Sequence, residues 1–219
     1  NLVLRGVGCR GGNYADDVIT PLTGAPTTEL RGVHVPFVSP VFYPMRPWTV
    51  NYFGSLGGNG ATGLLVTPAQ HRAADIALGT STRRTFSNLD LRLFYSGNLS
   101  QASLSDAPSI VFVDAQPDGG GVAFTARVVG DPAAAIHQVW VVYTGDGASP
   151  GRWAPIDLAQ CAAPLPAACA VEDSQLWKGR LGTAPVNLRY VIQAANGYGL
   201  VTLDDNLGAY YGLGGAAQA

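Results

Sequence analysis

Three cysteines, three histidines and thirteen aspartates are the side chains in this chain with the most chemistry to offer, and their spacing narrows it. Cys161 and Cys169 flank Ala-Ala-Pro-Leu-Pro-Ala-Ala. A bond between them closes a short loop, worth about 2–3 kcal/mol in the chain-entropy model. That bond is the expectation, and with it an oxidising, exported environment. The alternative is two free buried thiols in a reducing compartment, because spacing alone does not establish pairing. Cys9 is then left over.

Asp16-Asp17 and Asp204-Asp205-Asn206 place carboxylates side by side in turn-like contexts. Such oxygens are candidate calcium ligands, although neither stretch has the full loop pattern of a helix–loop–helix site. Calcium is the one cofactor the residues suggest. His34, His71 and His137 fall in separate segments with no His-x-x-x-His or Cys-x-x-Cys partner, so zinc is not indicated. His71, between Gln70 and Arg72, is the first imidazole to test as an acid or base. Gly6-Val-Gly-Cys-Arg-Gly11 carries the letters of a dinucleotide fingerprint. That fingerprint needs a helix to begin at its third glycine, and the following Gly12-Asn-Tyr-Ala-Asp-Asp-Val-Ile-Thr-Pro21 is too short and turn-prone, so a glycine-rich turn is expected. Phe53-Gly-Ser-Leu-Gly57 lacks the spacing of a nucleophile elbow. Glu29 and Glu172 are the only glutamates, and nothing pairs them across a cleft as glycoside hydrolysis requires. Every catalytic template therefore fails, and a non-catalytic protein is expected.

Aromatic rings offer a different chemistry, stacking on sugar rings. Trp48, Tyr52 and Trp153, with Tyr14, are the candidate surface aromatics for such binding. Packing in the interface between the two domains is the favoured reading for them, since large aromatics dominate core and interface burial. Trp140 and Trp177 are expected in the core, and Asn98-Leu-Ser100 is formally a glycosylation acceptor.

The elements that must carry these groups are strands. Gly and Pro, 28 and 15 of them, interrupt any helical pattern, and Asp far outnumbers Glu. Ser109–Asp114 and Val122–Val129 read as a hairpin, and Ile136–Thr144 carries apolar residues on both faces, as a central strand does. In the first half, strands are expected near Leu2–Arg5, Val33–Val38, Pro40–Tyr43, Trp48–Phe53, Gly63–Thr67 and Leu89–Tyr95. Leu89, Leu91, Leu93 and Tyr95 share one face of the last. Ala69–Leu78 has the boundaries of a single short helix. The polar stretch Ser96–Pro108 suits a linker, which divides the chain into β-rich domains at 1–105 and 106–219. The first residue is Asn1 and no leader-like segment precedes Leu2, as expected of a mature product or an excised piece.

Trp177-Lys-Gly followed by Tyr190-Val-Ile-Gln-Ala-Ala-Asn-Gly-Tyr-Gly-Leu-Val-Thr-Leu-Asp-Asp resembles the last strands of bacterial immunoglobulin-like or fibronectin type III-like modules. The resemblance covers the second half of the chain and implies an extracellular β-sandwich there. The whole is expected to be all-β, with a β-sandwich or jelly-roll-like first domain holding at most one helix.

Hydrophobic residues make up 47% and charged residues 13%, which excludes disorder through charge excess. A formal net charge of -2 provides no electrostatic footprint for nucleic acid. No apolar run approaches the roughly 20 residues of a membrane span. The function expected is a non-catalytic, exported structural, adhesion or assembly module of a surface or secreted protein, with a protein partner or self-assembly at a cell surface. The alternative is a carbohydrate-binding or accessory module of a secreted hydrolase, with a glycan as partner.

Overall fold

The computed structural model describes residues 2–20, 39–53, 61–73, 80–97, 105–146 and 151–214. The expected strand at 33–38, His34, Glu29, Ser55 and Asn98 lie outside them. The described chain is all-β. Its strands are β1 (Val3–Ile19), β2 (Ser39–Tyr43), β3 (Trp48–Phe53), β4 (Ala61–Val66), β5 (Ala69–Ala73) and β6 (Ser81–Ser96) in the first half. The second half contributes β7 (Ser109–Asp118), β8 (Gly121–Val129), β9 (Ile136–Asp146), β10 (Arg152–Cys161), β11 (Asp173–Leu181), β12 (Val186–Asn196) and β13 (Val201–Asp204).

In the second half, β7-β8-β11 forms one antiparallel layer and β13-β12-β9-β10 the other. β10 joins both: Ala154–Leu158 pairs with β9, and after that the strand turns to β11 at Ala159–Cys161. The period of two along β9 and β12 explains the packing. Val139, Val141, Tyr190 and Ile192 point inward against Phe124, Val128 and Trp177 of the opposite layer. Trp140, Val142 and Val191 point outward, where they would be wasted on solvent, and are covered instead by Tyr14, Phe86 and Phe94 of the first half.

That cover is an antiparallel ribbon of β1 and β6, in register from Val3 opposite Ser96 to Ile19 opposite Ser81. Sheet order continues outward through β5 to β2, while β3 and β4 form a separate two-stranded sheet. β1 also pairs with β10, Gly12 opposite Trp153 and Asn13 opposite Arg152. Strands on either side of residue 106 therefore share one continuous sheet and one buried cluster.

Two sequence expectations are corrected here. Gly6–Gly11 lies within β1 and is no turn. Its alternating glycines let the strand lie close on the neighbouring sheet: a Cβ on Gly8 would run into the Trp140 ring, and one on Gly6 into the Gly199 carbonyl. Ala69–Ala73 is a strand paired to β6 and β2, and the remainder of the expected helix lies outside the described residues. Long-range pairing there overrides a weak local preference.

Candidate functional site

The line along which β1 meets the sandwich gathers more of the chemistry-bearing side chains than any other part of the described structure. At its centre, β1 faces side chains and has no strand on that side. Gln193, fully buried on β12, stands in for one: its Oε1 accepts from the Cys9 N–H at 2.8 Å and its Nε2 donates to the Cys9 carbonyl at 2.9 Å. Trp140 Nε1 donates to the same carbonyl at 2.8 Å. A buried backbone pair that would otherwise be unsatisfied is thereby closed by two side chains from the sandwich. The Cys9 thiol is buried with it, and burial pushes its pKa up to about 11, which keeps it protonated and unreactive.

Trp48 and Trp153, the candidate sugar-stacking rings, are buried at 7% and 8% exposure, which takes away the surface reading and leaves the packing one. Burial follows from their partners: Trp48 Nε1 donates to the Val7 carbonyl at 3.2 Å, and Trp153 stacks edge-on to Tyr210 at 5.2 Å between ring centroids. Both line a cavity of about 40 Å³ together with Cys9, Gln70, Asp205 and Tyr210. That volume holds a few waters, far below the roughly 300 Å³ of a small-molecule pocket. Tyr52 lies on β3 opposite Thr62, and its side chain falls outside the described residues.

The aspartates are used by the fold. Asp16 and Asp17 lie opposite Arg84 and Arg83 across the ribbon. Arg84 donates from Nε and Nη2 to the two oxygens of Asp16, each at 2.8 Å, and Arg83 reaches Asp17 at 3.2 Å. The Arg84 guanidinium, 3% exposed, is held between the rings of Tyr14 and Phe42 at 3.8 and 4.0 Å. Burial works against its charge, the Asp16 bonds outweigh that, and its pKa rises. Asp204 accepts from the Asn206 N–H and the Tyr211 hydroxyl. Burial raises the Asp205 pKa against the lowering effect of the Gly208 N–H and Arg46. Among the described residues, no three His, Cys, Asp or Glu side chains come together as a metal site. Asp-Asp and Arg-Arg doublets of opposite sign were the overlooked signal: complementary pairs on two strands set a register.

Cys161 and Cys169 are bonded, tying the end of β10 to the loop before β11, with both cysteines buried. His71 is 6% exposed, neither ring nitrogen has a hydrogen-bond partner among the described residues, and burial lowers its pKa, so the ring is neutral. His137 and Glu172 are exposed on the sandwich, away from His71 in the sheet order.

On the outer side of the junction, where β1 passes between β6 and β10, is a groove of about 210 Å³ lined by Arg10, Asn13, Asp90, Arg152, Trp153 and Pro155. Its polar groups are oriented by neighbours. Asn13 Nδ2 donates to Asn88 Oδ1 at 2.6 Å, Asn88 Nδ2 to Asp90 Oδ1 at 3.3 Å, and Arg10 forks onto Asp157. Gly12, which also lines the groove, and Gly11 beside it have φ of 152° and 151°, and a Cβ on Gly12 would strike the Asn88 carbonyl. β1 bulges on both sides of this point, between Cys9 and Gly11 and between Asn13 and Tyr14, and bulges commonly sit beside functional sites. A second depression of about 380 Å³, lined by Tyr143, Asp146, Thr183 and Pro185 among others, shares Arg152 with the first. Asn13, Asp90 and Arg152 were not among the candidates chosen from sequence, since no motif joins residues so far apart in the chain.

Comparison of the chain with protein-family models, with curated proteins and with solved structures found no match.

Proposed function

We propose that this chain is an exported structural or adhesion module of a larger surface or secreted protein, its second half an immunoglobulin-like or fibronectin type III-like sandwich. The observation that carries this reading is the strand order: β7-β8-β11 facing β13-β12-β9-β10, with β10 crossing from one layer to the other. Two facing antiparallel layers with this kind of split are the architecture of many extracellular modules. The disulfide supports an oxidising compartment as well. A ribbon docked on the outer face of such a sandwich through a buried aromatic cluster ties the two halves of the chain together, which suits a structural part.

Two measurements test it. Alkylation in denaturant without reductant, read by intact mass, is expected to label Cys9 alone in protein taken from its native source. Labelling of all three cysteines would remove the exported reading. Light scattering and electron microscopy of undenatured material are expected to find a defined assembly or an extended monomer attached to surface material. A protein recovered wholly from the reducing cell interior would end the proposal. The carbohydrate-binding alternative loses the exposed rings it was built on, Trp48 and Trp153, and its support passes to the polar groove at Arg152.

A further inference from the structure

We infer that the paired depressions around Arg152 form a binding subsite for an acidic oligosaccharide, with Arg152 taking the carboxylate of a uronic acid unit. This rests on the adhesion reading and names the ligand class such a module would hold. Arg152 is exposed at the start of β10, and among the described residues its side chain makes no ion pair or hydrogen bond. A guanidinium left free at a groove is a fork suited to a carboxylate. Its neighbour Arg10 differs, being committed to Asp157.

In the lining of the same groove, Asp90 has one oxygen engaged by Asn88, while the other, Oδ2, lies 3.6 Å from where a Cβ on Gly11 would stand. A carboxylate oxygen held this way accepts hydrogen bonds from sugar hydroxyls. The first depression therefore offers one positive fork and one acceptor on a polar floor. The second, on the far side of Arg152, is walled by Tyr143, Pro185 and Val186 as well as Thr183 and Asp146. Apolar walls with a few polar groups suit the carbon-bearing face of a sugar ring. Because the two depressions share Arg152, the ligand runs past it, which selects a chain of sugar units over a single small acid.

Calorimetric titration of the intact chain with tetragalacturonate, with its methyl ester and with free amino acids tests the assignment. The expected result is binding of tetragalacturonate at least tenfold tighter than of the ester, weakening as salt rises. Arg152→Gln should lose at least tenfold, Arg152→Lys should retain part of the affinity, and Asp90→Asn should lose several-fold. Both side chains are exposed, so the melting temperatures of all three variants should stay close to the parent. No binding of the tetramer, equal binding of acid and ester, indifference to Arg152→Gln, or binding of free amino acids in its place would each overturn the assignment. The cysteine labelling described above reads the exported status independently, so failure here leaves that result standing.

Discussion

Replacing Gln193 by Leu removes both hydrogen bonds to Cys9 while keeping a side chain of similar size. The Cys9 carbonyl still has the Trp140 indole, but the Cys9 N–H is left buried with no acceptor. An unsatisfied buried donor costs about 1–3 kcal/mol, and the middle of that range, about 2 kcal/mol, changes an equilibrium roughly thirtyfold. Cys9 itself reports the effect. With the Cys161–Cys169 bond intact it is the one free thiol. A pKa of about 11 leaves only about one closed molecule in a thousand as thiolate at pH 8, so labelling runs through opening of β1. Native-state alkylation of Gln193→Leu, followed by intact mass at several reagent concentrations, should therefore proceed about thirty times faster than in the parent. The denaturation midpoint should fall in proportion to the same loss if β1 opens only with global unfolding. Equal labelling rates in the two proteins would refute the view that Gln193 substitutes for a strand partner. A Cys9→Ala control should take up no label.

Gly8→Ala should destabilise by about 1–3 kcal/mol in urea titration, because the added methyl must displace the Trp140 ring from a packed cluster. Arg84→Met should cost about 2 kcal/mol by the same measure: breaking a buried pair costs about 3–5 kcal/mol, discounted here because Asp16 is 36% exposed. Asp205 has a folded-state pKa raised by burial, so the native state holds its proton more tightly than the unfolded chain does. Its contribution to stability is present below the unfolded pKa, about 3.9, and is lost as pH rises through the folded value. Asp205→Asn should therefore gain melting temperature relative to the parent at pH 7, and the gain should shrink towards pH 3; a gain independent of pH would contradict the assigned cause.

Much of the all-β architecture was open to inference from local chemistry. Glycine and proline break the chain into short apolar runs, and the two apolar faces of Ile136–Thr144 mark a central strand, because alternation reports which faces are buried. The proximity of Cys161 to Cys169 suggested the loop that they close. Other readings were made without a partner in view. Asp16-Asp17 look like ion ligands until Arg83-Arg84 is laid opposite, and Ala69–Ala73 looks helical until β6 and β2 flank it. Trp48 and Trp153 were open to a surface or a packed reading, and only β1 crossing the sandwich decides for the packed one. Pairing, burial and the meeting of Asn13, Asp90 and Arg152 depend on contacts between residues far apart in the chain: Asn13 and Arg152, in register across β1 and β10, are 139 positions apart, and Cys9 and Gln193 are 184 apart. Periodicity along one strand says which side is apolar; only the packed chain says what that side is packed against.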